Sequence, residues 1–214
     1  MSDPVNRTKS KRGKDAAPGR ARRSKTLPIG LLFTDSSEQL SWPMHQYASK
    51  YCTFIMRDHW NLPEADYAAM LINDASDELI KQIREDDERP KAIRSEALAI
   101  RSVASRVCLI ERKSLSDFCS TMTVGHKRFA DECQRMSVYG SRTIVVEGDI
   151  PQVIEYCRGT GTCHAAVLNA AFAFHVRGTP VMFASNRRCA SATAFRIMEW
   201  WIRERAKLLE SDGW

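Results

Sequence analysis

Short blocks of consecutive apolar residues alternate with longer stretches in which apolar residues recur every three or four positions. That is the pattern of buried strands interleaved with helices, and it predicts an α/β fold whose sheet is covered on both faces. The first block, Leu31, Leu32 and Phe33, follows Pro28 and Gly30 and predicts a strand ending at Thr34 and Asp35. Tyr51 to Met56 is β-prone, and Asp66 to Ile72 reads as a strand after a turn at Asn61, Leu62 and Pro63. From 74 to 105 the character changes. Leu79, Ile80 and Ile83 fall at helical spacing, Pro90 interrupts, and Ile93, Leu98, Ile100 and Val103 suggest a second, less regular helix, so this stretch reads as a helical insertion.

Val107 to Ile110 is a fully apolar strand that runs directly into Glu111, Arg112 and Lys113. Ser114 and Asp117 then have the S-x-x-D form of a capping box, predicting a helix from there to about Tyr139. Thr143 to Val146 is the next strand, Thr162 to Val176 a helix ended by Gly178, Val181 to Ala184 a further strand, and Ala192 to Leu209 a closing amphipathic helix.

Charge changes this picture at one end of the chain. Residues 1 to 27 carry nine Lys and Arg against two Asp, out of a net charge of +6 for the whole protein, and contain no aromatic residue. Such a segment buries too little apolar surface to offset its ordering entropy, so it reads as a disordered basic tail ahead of one domain over 28 to 210. It suits phosphate contact or nuclear targeting, and a merely solubilising role stays open. At 43% apolar and 27% charged residues the remainder is globular in composition. No apolar run approaches the ~18 residues of a membrane span and no secretory signal opens the chain, which predicts an intracellular protein without a membrane partner: cytoplasm or nucleoid in a bacterium or phage, nucleus in a eukaryote. The seven cysteines form no C-x-x-C pair and predict neither a disulfide framework nor a zinc knuckle.

The candidate chemistry lies at strand ends. Side chains two apart on a strand share a face, so Glu111 and Lys113 project together while Arg112 points away. If Asp66 approaches from the neighbouring strand, two carboxylates can hold a hard divalent cation, and Lys113 can steady developing negative charge on a phosphoryl group. An isolated E-x-K triplet is a weak signal, since charged strand ends are usually solvated. Asp35 and Asp66 could equally be turn or helix caps, and Lys127, Arg128 and Arg135 an ordinary solvated helix face. His126, His164 and His175 show no metal-ligand spacing. The adjacent Trp200 and Trp201 cannot both face one seam of a helix.

The ordered set is more specific. Glu111-Arg112-Lys113-Ser114-Leu115-Ser116-Asp117 resembles the E-R-K-x-x-x-D signature of XPF-type nucleases. Thr34 to Gln39 resembles that family's strand-end D-x-R-E segment, and Leu62 to Tyr67 its L-P-x-G-D-Y turn. Gly125 to Phe129 with Gln134 to Met136 is similar to its following basic helix, and Thr143 to Gly148 to its next strand. The sequence departs from the family with Ala65 in place of glycine, Ser37 in place of arginine, and 44 residues between Asp66 and Glu111 where a short hairpin is usual.

The resemblance implies a restriction-endonuclease-like, PD-(D/E)xK central mixed sheet with helices on both faces, and a Mg²⁺-dependent DNA endonuclease, Mn²⁺ substituting, acting on branched or flapped DNA in repair, recombination or replication. It makes Asp66, Glu111 and Lys113 catalytic, Asp35, Asp66 and Glu111 the metal acids, and Arg112 and Arg128 phosphate contacts, joined by Lys127 and Arg135 on the basic helix. It also implies a homodimer or heterodimer. The alternative is a nuclease-fold DNA-binding or scaffolding subunit without turnover.

Overall fold

The computed structural model describes residues 26–35, 42–60, 62–87 and 98–211. The basic tail through residue 25, Ser37, Asn61, Pro90 and Ile93 lie outside them.

Among the described residues six strands form one mixed sheet: β1 (Ile29–Asp35), β2 (Thr53–Trp60), β3 (Tyr67–Leu71), β4 (Val107–Ser114), β5 (Ser141–Glu147) and β6 (Val181–Ala184). Their spatial order is β2-β1-β3-β4-β5-β6. β1 runs antiparallel to β3 and β3 antiparallel to β4, whereas β1–β2, β4–β5 and β5–β6 are parallel. Because β4, β5 and β6 are parallel, Ser114, Glu147 and Ala184 all end at the same edge of the sheet.

The four consecutive apolar residues of β4, Val107 to Ile110, are all buried, which requires cover on both sides of the strand. Alternation divides them. Val107 and Leu109 join Leu31, Phe33, Ala68 and Met70 in a core lying under α1 (Asp77–Asp87) and α2 (Leu98–Ser102). On the same face Ile144 and Val146, paired with Glu111 and Lys113, pack against α3 (Leu115–Thr123), α4 (His126–Arg135), α5 (Ile150–Thr160) and α6 (His164–Val176). Cys108 and Ile110 point the other way. There Ala190, Ala194, Phe195 and Met198 of α7 (Arg187–Ser211) cover them, together with Trp42 and Met44.

Most expected elements stand where the pattern put them, with differences at the boundaries. β2 extends to Trp60, beyond the expected Met56. The single helix expected from Ser114 to Tyr139 is two, because Val124 and Gly125 interrupt it and Gly125 costs a helix about 1 kcal/mol relative to alanine. Ser114 Oγ does accept from the Asp117 N–H at 3.2 Å, but the Asp117 carboxylate faces Lys113 rather than completing the capping box.

α5 was not anticipated. Pro151, Gly159 and Gly161 punctuate it like a loop, yet the proline sits in its first turn, where a missing N–H costs nothing. Asp149 and Gln152 form a reciprocal capping box, and Gly161 ends the helix at φ +70°. α7 begins at Arg187, five residues before expectation, with Asn186 Oδ1 accepting from the Cys189 N–H at 2.9 Å. Trp201 packs inward, its Nε1 donating to the Arg106 carbonyl at 3.2 Å, and Trp200 is exposed. Among the described residues no helix is long and apolar enough to cross a membrane.

Candidate active site

The register of the three central strands sets out the acids. Thr34 pairs with Tyr67 and Tyr67 with Ile110. One step further along the same antiparallel ladders come Asp35, Asp66 and Glu111, a row of three acids at the end of β1, just before β3 and within β4. Backbone bonds carry the row: the Asp35 N–H donates to the Asp66 carbonyl at 2.8 Å, and the Asp66 N–H to the Ile110 carbonyl at 3.2 Å.

Asp66 is further fixed by its side chain, whose Oδ2 accepts from the Arg112 N–H at 2.7 Å. The turn that delivers it passes through Ala65, which stands at φ +67°. That left-handed conformation costs a residue with a Cβ roughly 1–2 kcal/mol. Asp35 is buried, and its Oδ1 accepts from the Leu62 N–H at 2.8 Å, which ties the start of the same turn to the end of β1.

Glu111 and Lys113 share a face of β4, as their spacing predicts. Lys113 Nζ donates to Glu111 Oε1 at 2.5 Å and faces Asp117 Oδ2 at 3.4 Å. α4 closes the other side: the Lys113 ammonium lies 5.0 Å from the Phe129 ring centroid, and Glu132 acts electrostatically on both Glu111 and Lys113. Burial and the neighbouring Asp66 charge push the Glu111 carboxyl up to about 8, outweighing the opposite pull of Lys113. Burial alone would lower the Lys113 ammonium, but Glu111, Asp117 and Glu132 together raise it, so it stays charged.

Arg112, between them, turns to the other face. Its Nε donates to Glu147 Oε1 at 2.8 Å and its second nitrogen to Oε2 at 3.2 Å, while Trp42 Nε1 donates to the same carboxylate at 2.6 Å. These bonds outweigh the effect of burial and hold Glu147 below the usual glutamate range. Only 12% of the Arg112 side chain is exposed, so a phosphate contact would have to compete with this pairing. Lys127 and Arg128 lie exposed on the first turn of α4. Arg135, also exposed, stands 4.0 Å from Glu64, a buried acid that accepts from Arg101 at 2.9 Å and from Tyr139 Oη at 2.8 Å.

Residue spacing alone did not single out Glu64, Glu132 or Glu147. Glu147 would have been found from the pairing of Arg112 with Val145, which puts the acid two residues on within reach of Arg112. For Glu132 no signal in the sequence joins it to Lys113, because the turn at Gly125 sets that approach.

A model of the ERCC4 domain matches residues 55–188, more than half of the chain and every charged residue of the site except Asp35. The chain belongs to the ERCC4-domain family. It is therefore a nuclease-type, DNA-processing domain with the XPF-type architecture. The structure of XPF from Aeropyrum pernix is similar over 82% of this chain and 61% of its own, at 19% identity and a TM-score of 0.48. This ERCC4 domain thus spans under two thirds of that protein's length. Among curated proteins none matches.

In the ERCC4 domain, Asp66 and Glu111 offer hard oxygen donors side by side, the donor type that Mg²⁺ and Mn²⁺ take. The raised Glu111 carboxyl also fits a cation, since burial and the charge of the half-buried Asp66 disfavour its ionisation until further positive charge is supplied. Among the described residues no three His, Cys, Asp or Glu side chains are grouped closely enough to hold a metal ion unaided. Asp66 and Glu111 alone would leave most of an ion's coordination shell to water and substrate oxygens.

Proposed function

We propose that this ERCC4 domain is a metal-dependent endonuclease that hydrolyses phosphodiester bonds in branched or flapped DNA. The observation that carries the reading is the convergence of Asp66, Glu111 and Lys113 over the second half of β4, with Glu111 buried, Asp66 half-buried on the neighbouring turn and the lysine charged beside them. Asp66 and Glu111 would hold Mg²⁺, or Mn²⁺ in its place, with Asp35 as the third acid of the row. Bound there, the cation supplies Lewis-acid polarisation of the scissile phosphoryl group.

The chain's own residues divide the remaining work. Lys113 has three N–H donors; Glu111 engages one, Asp117 stands 3.4 Å away as an ion-pair neighbour, and a remaining donor can reach a phosphate oxygen as negative charge develops on it. Phe129 shields the ammonium from water and so strengthens its field. Lys127 and Arg128, with Arg135 about two turns beyond, form the basic side of α4 that a DNA backbone would meet. Arg112 contributes by holding Asp66 through its backbone N–H, and its side chain could reach phosphate only by leaving Glu147.

Dimerisation is part of the same reading. Phe172 and Val176 on α6 and Met182 on the edge strand β6 leave apolar surface exposed, which suits a second subunit.

The test is cleavage of labelled flap, fork, Holliday-junction and linear duplex DNA in Mg²⁺, Mn²⁺, Ca²⁺ or EDTA. Cutting of a branched substrate in Mg²⁺ and Mn²⁺, with Ca²⁺ allowing binding but little turnover, is expected because its longer, looser coordination suits hydrolysis poorly. Full activity in EDTA, or binding without cutting in any metal, contradicts the reading; the second outcome would make the domain a DNA-binding scaffold.

A further inference from the structure

We propose that the cleft between Pro43–Tyr47 and the first turns of α7 is a phosphate-binding site that takes a backbone phosphodiester of the DNA, distinct from the one that is cut. Its identification as a DNA contact rests on the nuclease reading above. The cleft has a volume of about 430 Å³ and is lined by Pro43, Gln46, Tyr47, Arg187, Arg188 and Ser191. A water molecule's share of liquid volume is about 30 Å³, so the space admits a phosphate with parts of its sugars.

Two independent features select an anion. The first is the positive end of the dipole of α7, a helix of 25 residues, with Arg187 and Arg188 as its opening residues. Arg188 is exposed, and no acid among the described residues pairs with its guanidinium. The second is Ser191. The residue is 99% removed from solvent and its Oγ has no hydrogen-bond partner among the described residues, although a helical serine ordinarily satisfies its hydroxyl on the carbonyl four residues back. An unpartnered hydroxyl in the wall of a cationic cleft is a donor waiting for an acceptor. Tyr47 keeps the opposite wall in place, stacking on Phe195 with ring centroids 5.2 Å apart and donating its hydroxyl to the Arg188 carbonyl at 3.3 Å.

Location argues for DNA rather than a free anion. The N-terminus of α7 follows β6, whose last residue Ala184 pairs with Glu147 at the sheet edge that carries Glu111 and Lys113. Arg187 acts electrostatically on Glu147, the partner of Arg112. A strand with one phosphate at Lys113 can therefore pass around that edge and present another to the cleft.

The test uses the full chain, wild type and the Arg188→Gln/Ser191→Ala double variant, in two arms. In the first, thermal melting without DNA compares inorganic phosphate with chloride at equal ionic strength. Phosphate should raise the melting temperature of the wild type and not of the variant, and equal shifts would overturn the site. In chloride the variant should melt no lower than the wild type, since Ser191→Ala removes an unsatisfied buried hydroxyl. In the second arm, branched DNA in EDTA carries one neutral methylphosphonate at a time. At one position near the branch, neutralisation should weaken wild-type binding by about threefold to tenfold and leave the variant's already weakened binding unchanged, because both remove the same contact. Tight DNA binding with no such coupling at any position overturns the DNA assignment while leaving the nuclease reading intact. A phosphate shift in the first arm without coupling in the second makes a free phosphate the ligand and equally overturns it. Absence of DNA binding and cleavage by the wild type would instead defeat the nuclease reading, and the first arm would still decide the anion site.

Discussion

Glu111 and Lys113 stand two residues apart on one face of β4 with carboxylate oxygen and ammonium nitrogen 2.5 Å from each other, yet the carboxyl is harder to ionise than an ordinary glutamate. A single lysine does not outweigh burial together with a second acid, Asp66, on the next strand. The site therefore carries a standing demand for positive charge, and that demand has consequences for stability as well as for catalysis.

One consequence is a pH dependence of the metal-free protein. Glu111 titrates near 4.5 when unfolded and near 8 when folded, so between these values the folded form binds the extra proton. Its contribution to stability is complete below pH 4.5 and is lost as pH rises through 8. Lys113, raised above the ordinary lysine range, and Glu147, lowered below the glutamate range, both titrate outside this window. Calorimetric melting in EDTA should show the wild type losing stability across the window more steeply than Glu111→Gln, and Mg²⁺ binding should release protons there. Parallel curves for the two proteins would contradict the assignment of Glu111.

A second consequence concerns the turn before Asp66. Ala65 holds φ +67° where the resembling family has glycine. Ala65→Gly should raise stability by about 0.5–1 kcal/mol, the relief of a left-handed alanine less the greater freedom of glycine in the unfolded chain. Urea denaturation decides it; a loss of stability would mean that the methyl group of Ala65, packed against the core beside Glu64, contributes more than the conformation costs.

The basic tail yields a third expectation. Removing residues 1 to 27 takes away nine cationic side chains and two acidic ones. DNA affinity should fall and its dependence on salt flatten, with the order of preference among DNA shapes retained. Binding isotherms at several salt concentrations measure this, and an unchanged salt slope would assign the segment another role.

What could be read from the sequence follows a physical division. Continuous apolar runs, such as Val107 to Ile110 and Val181 to Ala184, identify themselves because burial on both faces leaves no other composition. The face shared by Glu111 and Lys113 was legible because the side-chain period of a strand is two, and the same rule turned Arg112 away. α5 was hidden because its proline and glycines are capping residues that resemble loop punctuation until a partner such as Asp149 is seen to cap. The alignment of Asp35, Asp66 and Glu111 in one row needed the register of three strands, with 44 residues between Asp66 and Glu111. Glu64 and Glu132 depend on packing between distant elements, which periodicity does not encode.

The most direct test of the central claim is single-turnover cleavage of a branched DNA by Lys113→Ala, Glu111→Gln and Arg112→Ala, with thermal melting of each. Lys113→Ala and Glu111→Gln should remain folded, bind DNA, and lose about 10²-fold or more in rate, the scale of removing a transition-state electrostatic partner. Arg112→Ala should retain far more of the rate but lose roughly 2–4 kcal/mol of stability, since it leaves the half-buried Glu147 without its guanidinium. If Lys113→Ala and Glu111→Gln instead cut at the wild-type rate while folded, the strand-end pocket is not where the chemistry occurs.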